Sequence, residues 1–425
     1  MRTHFTEAQR AEPEIQRSEA AIRKCVHCGF CTATCPTYVL LGDERDSPRG
    51  RIALIQNMLE AGTPPDAATV RHIDRCLSCL ACTTTCPSGV DYAQLIDHGR
   101  AYVETHYQRA LPDRMMRALI AAVLPHRRRF AAALKLAPLG RLFAPLFKLS
   151  PATRPLAAML ALAPRAATKP TPTATTRHTN RVLMLRGCAE PVLAPQYQAA
   201  TIRLLDRMNI GVDYAADTCC GALVHHIGRE ASARDFARAN IHAWESALAR
   251  HPYTAIIVTA SGCGAELKSY GKLLADDPEY AARAARIAAL AKDWSEVVEA
   301  FGLPPSVNGA GLPISYHAAC SLQHGQRVAA PRALLVAAGF AVAEPSEAHL
   351  CCGSAGTYNL LQSEIAGQLR NRKLTTLAAT GAQIIASGNI GCLTQLAGDN
   401  LAVVHTAELL DWATGGPRPA TLPIT

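Results

Sequence analysis

The sequence predicts a mixed fold, an α-helical, cysteine-rich N-terminal domain followed by two tandem α/β cysteine-rich domains with parallel sheets. Three observations carry this expectation. Near the amino end two cysteine runs share one spacing, Cys25, Cys28, Cys31 and Cys35 before Pro36, then Cys76, Cys79, Cys82 and Cys86 before Pro87. Further on, a lone cysteine precedes a Cys-Cys-Gly triplet by thirty-one positions twice over, Cys188 before Cys219, Cys220 and Gly221, and Cys320 before Cys351, Cys352 and Gly353. Between these anchors, short β-branched runs alternate with longer alanine-rich runs, the mark of strand–helix–strand units and a parallel sheet. The 425 residues suit two or three domains. The expected divisions are a cluster-binding domain over 1–110, a basic Pro-rich connector over 111–180, and the two Cys-Cys-Gly domains over 181–305 and 306–425.

Each N-terminal run reads C-x2-C-x2-C-x3-C-P, the spacing of bacterial ferredoxins that hold cubane iron–sulfur clusters. Three thiolates at three-residue steps reach three corners of one small cube. The fourth lies beyond a longer step and a chain-turning proline, so it points away and completes the other cluster. The predicted sets are Cys25, Cys28, Cys31 and Cys86 for one [4Fe–4S] cluster, and Cys76, Cys79, Cys82 and Cys35 for its neighbour. The first domain is therefore read as a helical ferredoxin domain and the chain as an electron carrier. Structural zinc also takes four thiolates, but it usually joins two C-x2-C pairs and does not call for a triplet plus Cys-Pro written twice. A disulfide framework needs an oxidising compartment, and the opening MRTHFTEAQRAEPEIQR is polar, with no apolar core to direct export. A cytoplasmic setting is expected.

Between the runs, SPRGRIALIQNMLEAGTPP reads as a helix ending at Gly62. Ser47 can cap it, Pro48 suits its first turn, and Ile52, Ile55 and Leu59 share one face. The connector carries most of the charge. From Arg114 to Ala189 there are fourteen Lys/Arg and no Asp or Glu, so with a net charge of +9 the remainder carries 9 − 14 = −5. In RRRFAAALKLAPLGRLFAPLFKLSP, Arg127, Arg128, Arg129, Lys135, Arg141 and Lys148 alternate with Leu, Phe and Ala. Such a segment lies on an anionic membrane surface as a peripheral contact over 114–165, or docks as a connector on its own domains. Pro138, Pro145, Pro151 and Pro155 are expected to break it into short helices. Aromatic side chains are sparse there, and no nucleic-acid module accompanies the charge. No stretch nears eighteen uninterrupted apolar residues, which argues against a transmembrane helix. Residues 166–180, rich in Pro and Thr, mark the clearest linker.

Beyond it the halves match element by element: RVLMLRGC against PISYHAAC, NIGVDY against AGFAVAE, AIIVTASGC against QIIASGNIGC. Each lone cysteine should sit just past a strand end, where open α/β sheets place their ligands. Adjacent cysteines bridge to each other poorly, so shared metal ligation is the favoured reading, with the glycine letting the backbone come close. The candidate sets are Cys188, Cys219, Cys220 and Cys263, and Cys320, Cys351, Cys352 and Cys392, for further [4Fe–4S] clusters or another metal. Buried unligated thiols and thiol–disulfide chemistry remain alternatives. His225, His226, His317 and His324 either tune cluster sulfur and carry protons or are structural; Lys268 and Arg327 either offset cluster charge or are solvated. No dinucleotide fingerprint occurs, so no flavin is expected on this chain.

Together with SPRGRI, the motifs CCGALVHHIGRE, ASGCGAELKSYGKLLADDPEYAARA, CSLQHGQ, CCGSAGTYNLLQ and NIGCL resemble the iron–sulfur subunits of bacterial glycolate oxidase over nearly the whole chain. The resemblance implies a ferredoxin fused to two Cys-Cys-Gly domains, like those of heterodisulfide reductases, anaerobic glycerol-3-phosphate dehydrogenase and lactate-utilisation proteins. It implies a membrane-associated complex in which flavoprotein subunits oxidise glycolate to glyoxylate and this chain passes electrons toward a quinone or another acceptor. A lactate or glycerol-3-phosphate dehydrogenase subunit, or a thiol–disulfide oxidoreductase, is the alternative. Heterodisulfide-reductase domains carry a fifth thiolate three residues after the last cysteine, where this chain has Glu266 and Gln395. That departure puts disulfide reduction in doubt.

Overall fold

A computed structural model describes residues 1–150, 152–163, 178–398 and 401–423. The Pro/Thr-rich linker expected at 166–180 lies, apart from its last three residues, outside them. The N-terminal region is helical. Pro13–Lys24, Pro48–Ala61, Ala67–Asp74 and Tyr92–His106 surround a core that includes Ile22, Ile55, Ile73, Leu95 and Ile96. Pro48–Ala61 forms as its sequence dictates. The Ser47 hydroxyl accepts the Gly50 N–H at 3.0 Å, Pro48 opens the first turn, and Gly62, at φ 62°, ends the helix in a conformation that suits glycine. Ile52, Ile55 and Leu59 face inward, as the 3.6-residue period requires.

The connector forms the helices Leu111–Val123, Arg127–Leu142, Ala144–Leu149 and Arg154–Leu162. One expectation fails here, because Arg127–Leu142 runs through Pro138. A proline inside a helix costs about 3 kcal/mol. Packing opposes that cost locally: Ala137 is buried, and Gly140 lies against Leu160 of the last connector helix. Pro145 and Pro155 do open new helices, each standing in a first turn. Among the described residues no helix is long and apolar enough to cross a membrane.

Each remaining half is a four-stranded, all-parallel sheet. The first orders β1 (Asn180–Met184), β2 (Ile210–Asp213), β3 (Ile256–Val258) and β4 (Ala291–Asp293) as β2-β1-β3-β4. The second orders β5 (Pro313–Tyr316), β6 (Ala341–Ala343), β7 (Ile384–Ser387) and β8 (Ala402–His405) as β6-β5-β7-β8, the same topology. Both sheets contribute to one apolar core, with Val182, Met184 and Trp294 from the first half and Ile314, Phe340 and Leu410 from the second. The buried Asp411 locks the seam. It receives Arg203 at 2.5 Å and also pairs with Arg207, both from the helix Gln196–Arg207 of the other half. Because the halves share a core, the carboxyl ends of both sheets open onto one region.

Asp293 ends β4 and caps Trp294–Phe301, accepting the Ser295 N–H at 3.0 Å. Burial pushes its carboxyl up to about 6, from the usual 3.8. A folded-state value above the unfolded one means stability that is complete below pH 3.8 and lost as pH rises through 6. Asp293→Asn keeps the cap and removes the titration. Relative to wild type, it should gain on the order of 3 kcal/mol between pH 4 and pH 8, read by denaturant unfolding across that range.

Candidate metal centres

The two ferredoxin runs adopt one backbone. After the first cysteine of each run, His27 and Ser78 hold φ at 56° and 48°; after the second, Gly29 and Leu80 hold 87° and 61°. Left-handed conformations cost non-glycine residues on the order of 1 kcal/mol, and their recurrence at matched positions marks a loop bent around something. Short helices follow, Phe30–Ala33 and Ala81–Thr85, carrying the third cysteines Cys31 and Cys82. Cys35 faces the second run, as an electrostatic neighbour of Cys79 and Cys82. Cys25, Cys31, Cys76, Cys82 and Cys86 all gather in the N-terminal core, while Cys28 is exposed. Burial pushes the thiols of Cys79 and Cys82 well above their usual range and that of Cys31 up to about 11.

Around these sulfurs lie groups with no cysteine motif to announce them. The buried Arg51 directs Nη1 at Cys35 Sγ (3.8 Å) and Nε at the His72 carbonyl (2.7 Å), and pairs with Asp46 at 3.2 Å. Asp46, wholly buried, also accepts from His72 and Arg75. The Tyr92 hydroxyl stands 3.6 Å from Cys76 Sγ. Four thiols per cluster, a strained enclosing loop and hydrogen-bond donors at sulfur are a donor set that fits an iron–sulfur cluster in each run.

In the Cys-Cys-Gly halves, Cys188 and Cys320 lie just past β1 and β5. Cys219 Sγ is 3.4 Å from Cys188 Sγ, and hydrogen bonding with Cys188 and Cys220, together with the Gly221 amide, draws it well below its usual range. Cys220 also reaches Cys263. The second half repeats the chain of contacts, Cys320 to Cys351 and Cys352 to Cys392. Gly221 and Gly353 both hold left-handed conformations, at φ 98° and 89°. Each donates its amide to the sulfur of the first cysteine of its pair, Cys219 or Cys351, at 3.4 Å, and a Cβ on Gly353 (φ 89°) would stand 2.5 Å from the Ala366 carbonyl. The glycine lets the following helix approach, and its N–H faces sulfur. The positions that lack a fifth thiolate are filled by hydrogen-bonded groups: Glu266 takes His225 at 3.0 Å, and Gln395 takes Asn359 at 3.0 Å.

The histidines separate by environment. Burial alone would lower His225, but Glu266 and Asp97 carry it up to about 10. Burial, then Arg100 and His225, pushes His226 down to about 3. His324 bonds Thr84 at 2.9 Å. His317 is 1% exposed, with neither ring nitrogen hydrogen-bonded. Lys268 pairs with Glu296 at 2.7 Å, and Arg327 is exposed. A lysine the motifs do not flag, Lys373, is buried as an electrostatic neighbour of Cys320, Cys352 and Cys351.

The second ferredoxin run docks on the second half: Leu77 and Cys79 share an apolar cluster with Cys320 and Cys351, and the Tyr358 hydroxyl donates to the Arg75 carbonyl at 3.1 Å. Above this contact lies a cavity of about 640 Å³ bordered by cysteines of both halves. Its far wall is the connector, with Leu119, Phe130, Leu134, Phe147, Leu156 and Leu160.

Gly353→Ala should lower stability by about 2 kcal/mol or more, combining the left-handed penalty with overlap on the Ala366 carbonyl. Thermal unfolding reads the loss, and Gly367→Ala, on the same stretch with nothing near its Cβ, is the control.

A profile for 4Fe-4S dicluster domains matches residues 21–90, and one for cysteine-rich domains matches 182–268 and 314–397. Over 416 residues the chain is 41% identical to the glycolate oxidase iron-sulfur subunit of Escherichia coli strain K12, covering 97% of this chain and 99% of that protein. It is 32% identical to the probable glycolate oxidase iron-sulfur subunit of Bacillus subtilis strain 168, over 93% of this chain and 95% of the other. Lactate utilization protein A of Geobacillus kaustophilus is 27% identical over 54% of this chain and 98% of its own. A crystal structure of a hypothetical protein from Helicobacter pylori shares the fold at a TM-score of 0.57 and 8% identity, covering 98% of this chain and 74% of that one. Matched end to end by the first two relatives, with dicluster and cysteine-rich profiles falling on the regions that carry the thiols, the chain belongs to the family of glycolate oxidase iron–sulfur subunits.

Proposed function

We propose that this chain is the electron-transfer subunit of a complex that oxidises glycolate to glyoxylate, and D-lactate as a second substrate, and that it is not catalytic alone. A flavin on a partner subunit takes the electron pair from the hydroxy acid. The residues here that would hold iron are Cys25, Cys28, Cys31 and Cys86 for one [4Fe–4S] cluster, and Cys76, Cys79, Cys82 and Cys35 for the other. When bound, such clusters supply one-electron transfer, which divides a flavin's pair into single steps. Arg51 and Tyr92 act on the sulfurs of Cys35 and Cys76, offering positive charge and a hydrogen bond to thiolate.

The acceptor is a quinone, and the cavity is the observation that carries this reading. Its connector wall is built mainly of Leu, Phe and Ala side chains, so that part suits a lipophilic ring. His225 and Glu266, hydrogen-bonded to each other, line the same cavity as polar groups able to orient a quinone oxygen. The connector also turns apolar side chains outward: Leu136, Leu139, Leu142, Phe143, Leu146 and Leu149 are all more than half exposed on a segment without acidic residues. That combination fits a peripheral seat on the inner face of the cell membrane.

Two measurements test the proposal. The isolated chain should leave glycolate untouched, and glycolate-dependent quinone reduction should appear only when flavoprotein partners are added. Turnover of a disulfide by the isolated chain would instead favour a thiol–disulfide oxidoreductase. The chain should bind anionic vesicles in low salt and release them in high salt, each basic residue near the surface contributing about 1 kcal/mol. Replacing both Leu139 and Leu142 with Glu should weaken vesicle binding about tenfold or more; equal binding would remove the membrane seat.

A further inference from the structure

We propose that His317 is a metal ligand and that, with Cys352 and Cys392, it forms a single-ion site for Zn2+ in the second Cys-Cys-Gly half. The three side chains offer a ring nitrogen and two Sγ atoms that all lie within 4.8 Å of one another, and all three residues are buried. Ligands of one tetrahedral zinc, with Zn–S at about 2.3 Å and Zn–N at about 2.0–2.1 Å, must crowd together in this way. The thiolates of a cube sit on separate irons and stand farther apart. Among the described residues, no three of the ferredoxin cysteines come as close as this triad.

The state of the imidazole points the same way. The His317 main-chain N–H donates to the Ala386 carbonyl at 2.9 Å, which anchors the residue at the end of β5. Yet both ring nitrogens are buried without a partner. Leaving a buried polar atom unsatisfied costs about 1–3 kcal/mol, and native cores rarely tolerate two on one ring. A metal on one nitrogen removes much of that cost. The repeat sharpens the point: three residues before its own lone cysteine the first half carries Leu185, so an apolar side chain satisfies this place in the fold. The imidazole is a departure confined to one half.

Mixed nitrogen and sulfur donors suit zinc, which is borderline in softness. Cys352 and Cys392 border the cavity together with Cys320 and Cys351, so the fourth position faces that side. Lys373, buried beside Cys320, Cys351 and Cys352, offsets thiolate charge. The other close group of metal-ligating side chains, Asp43, Asp46 and His72, is already neutralised by Arg51 and Arg75 and carries no such inference. The zinc site borders the cavity of the quinone reading but rests on other residues, and zinc, having no redox chemistry, would leave electron transfer to the ferredoxin domain.

The test uses the full-length chain, purified without oxygen and analysed for zinc, iron and acid-labile sulfide, with zinc K-edge absorption. Expected are about one zinc per chain beside the ferredoxin iron, and a shell holding nitrogen at about 2.0–2.1 Å with sulfur at about 2.3 Å. His317→Leu copies the residue of the first half and should lose zinc at least tenfold more readily to a chelator, with iron and sulfide unchanged. His317→Cys should restore zinc in an all-sulfur shell. A wild-type chain without zinc, a shell without nitrogen, or zinc held equally by His317→Leu overturns the proposal. Should the Leu variant fail to fold, the wild-type shell alone decides.

Discussion

Desolvated sulfur is the constraint around which this molecule is arranged. Cys79 and Cys82 sit where burial pushes a thiol well above its usual range, and Cys320 is raised by its hydrogen bond with Cys351 and by burial. A thiolate in such a place is tolerable only against positive charge. Metal binding therefore has to displace protons, and its free energy becomes part of the folding free energy. The fixed cations follow the same logic. Arg51 keeps its proton despite complete burial because Cys76, Tyr92, Cys35 and Asp46 surround it. Lys373, beside the second Cys-Cys-Gly set, is instead lowered by burial, and Cys320, Cys352 and Cys351 oppose that shift.

Topology brings the sulfurs together. Lone cysteines follow the carboxyl ends of β1 and β5, the edge at which parallel sheets present ligands. Since the two sheets share a core, those edges face a common cavity, and the ferredoxin domain closes against it through Leu77 and Cys79. The polar ties across that contact, Thr84 to His324 and Tyr358 to the Arg75 carbonyl, fix orientation. Outlying ion pairs such as Arg17–Asp276 and Lys272–Asp91 are solvent-exposed and add little energy. Burial of Leu77 and its neighbours, which removes apolar surface from water, supplies the affinity between domains.

The covalent pattern was legible in the sequence and the three-dimensional neighbourhood was not. Repeated spacing announced both ferredoxin runs and both Cys-Cys-Gly halves, and Ser47, Pro48 and Gly62 announced a helix with its ends, because these signals are local. Pro138 misled because a local penalty was opposed by burial of Ala137 and by packing of Gly140 on a helix some twenty residues later. Arg51, Tyr92 and Lys373 could not be singled out: each reaches sulfur across a gap in sequence that only the tertiary fold closes. The conformational freedom of Gly353 was legible in its motif, but the close approach of the Ala366 carbonyl, from a helix thirteen residues on, was not.

Duplication explains how the halves can share a scaffold and differ in chemistry. Glu266 and Gln395 occupy equivalent places three residues past Cys263 and Cys392, and both are buried and hydrogen-bonded. In the first half the partner is His225, held charged by Glu266 and Asp97 against the pull of burial, so the cavity wall there carries a fixed, paired positive charge. In the second half the partner is Asn359, and Gln395 passes its amide to the Ala366 carbonyl, a network with no group that titrates. A charged pair costs desolvation that a neutral amide network avoids. The first half bears that cost on the wall where Asp97 brings the ferredoxin domain against it. The second half keeps its wall neutral and places its departure one layer deeper, at His317.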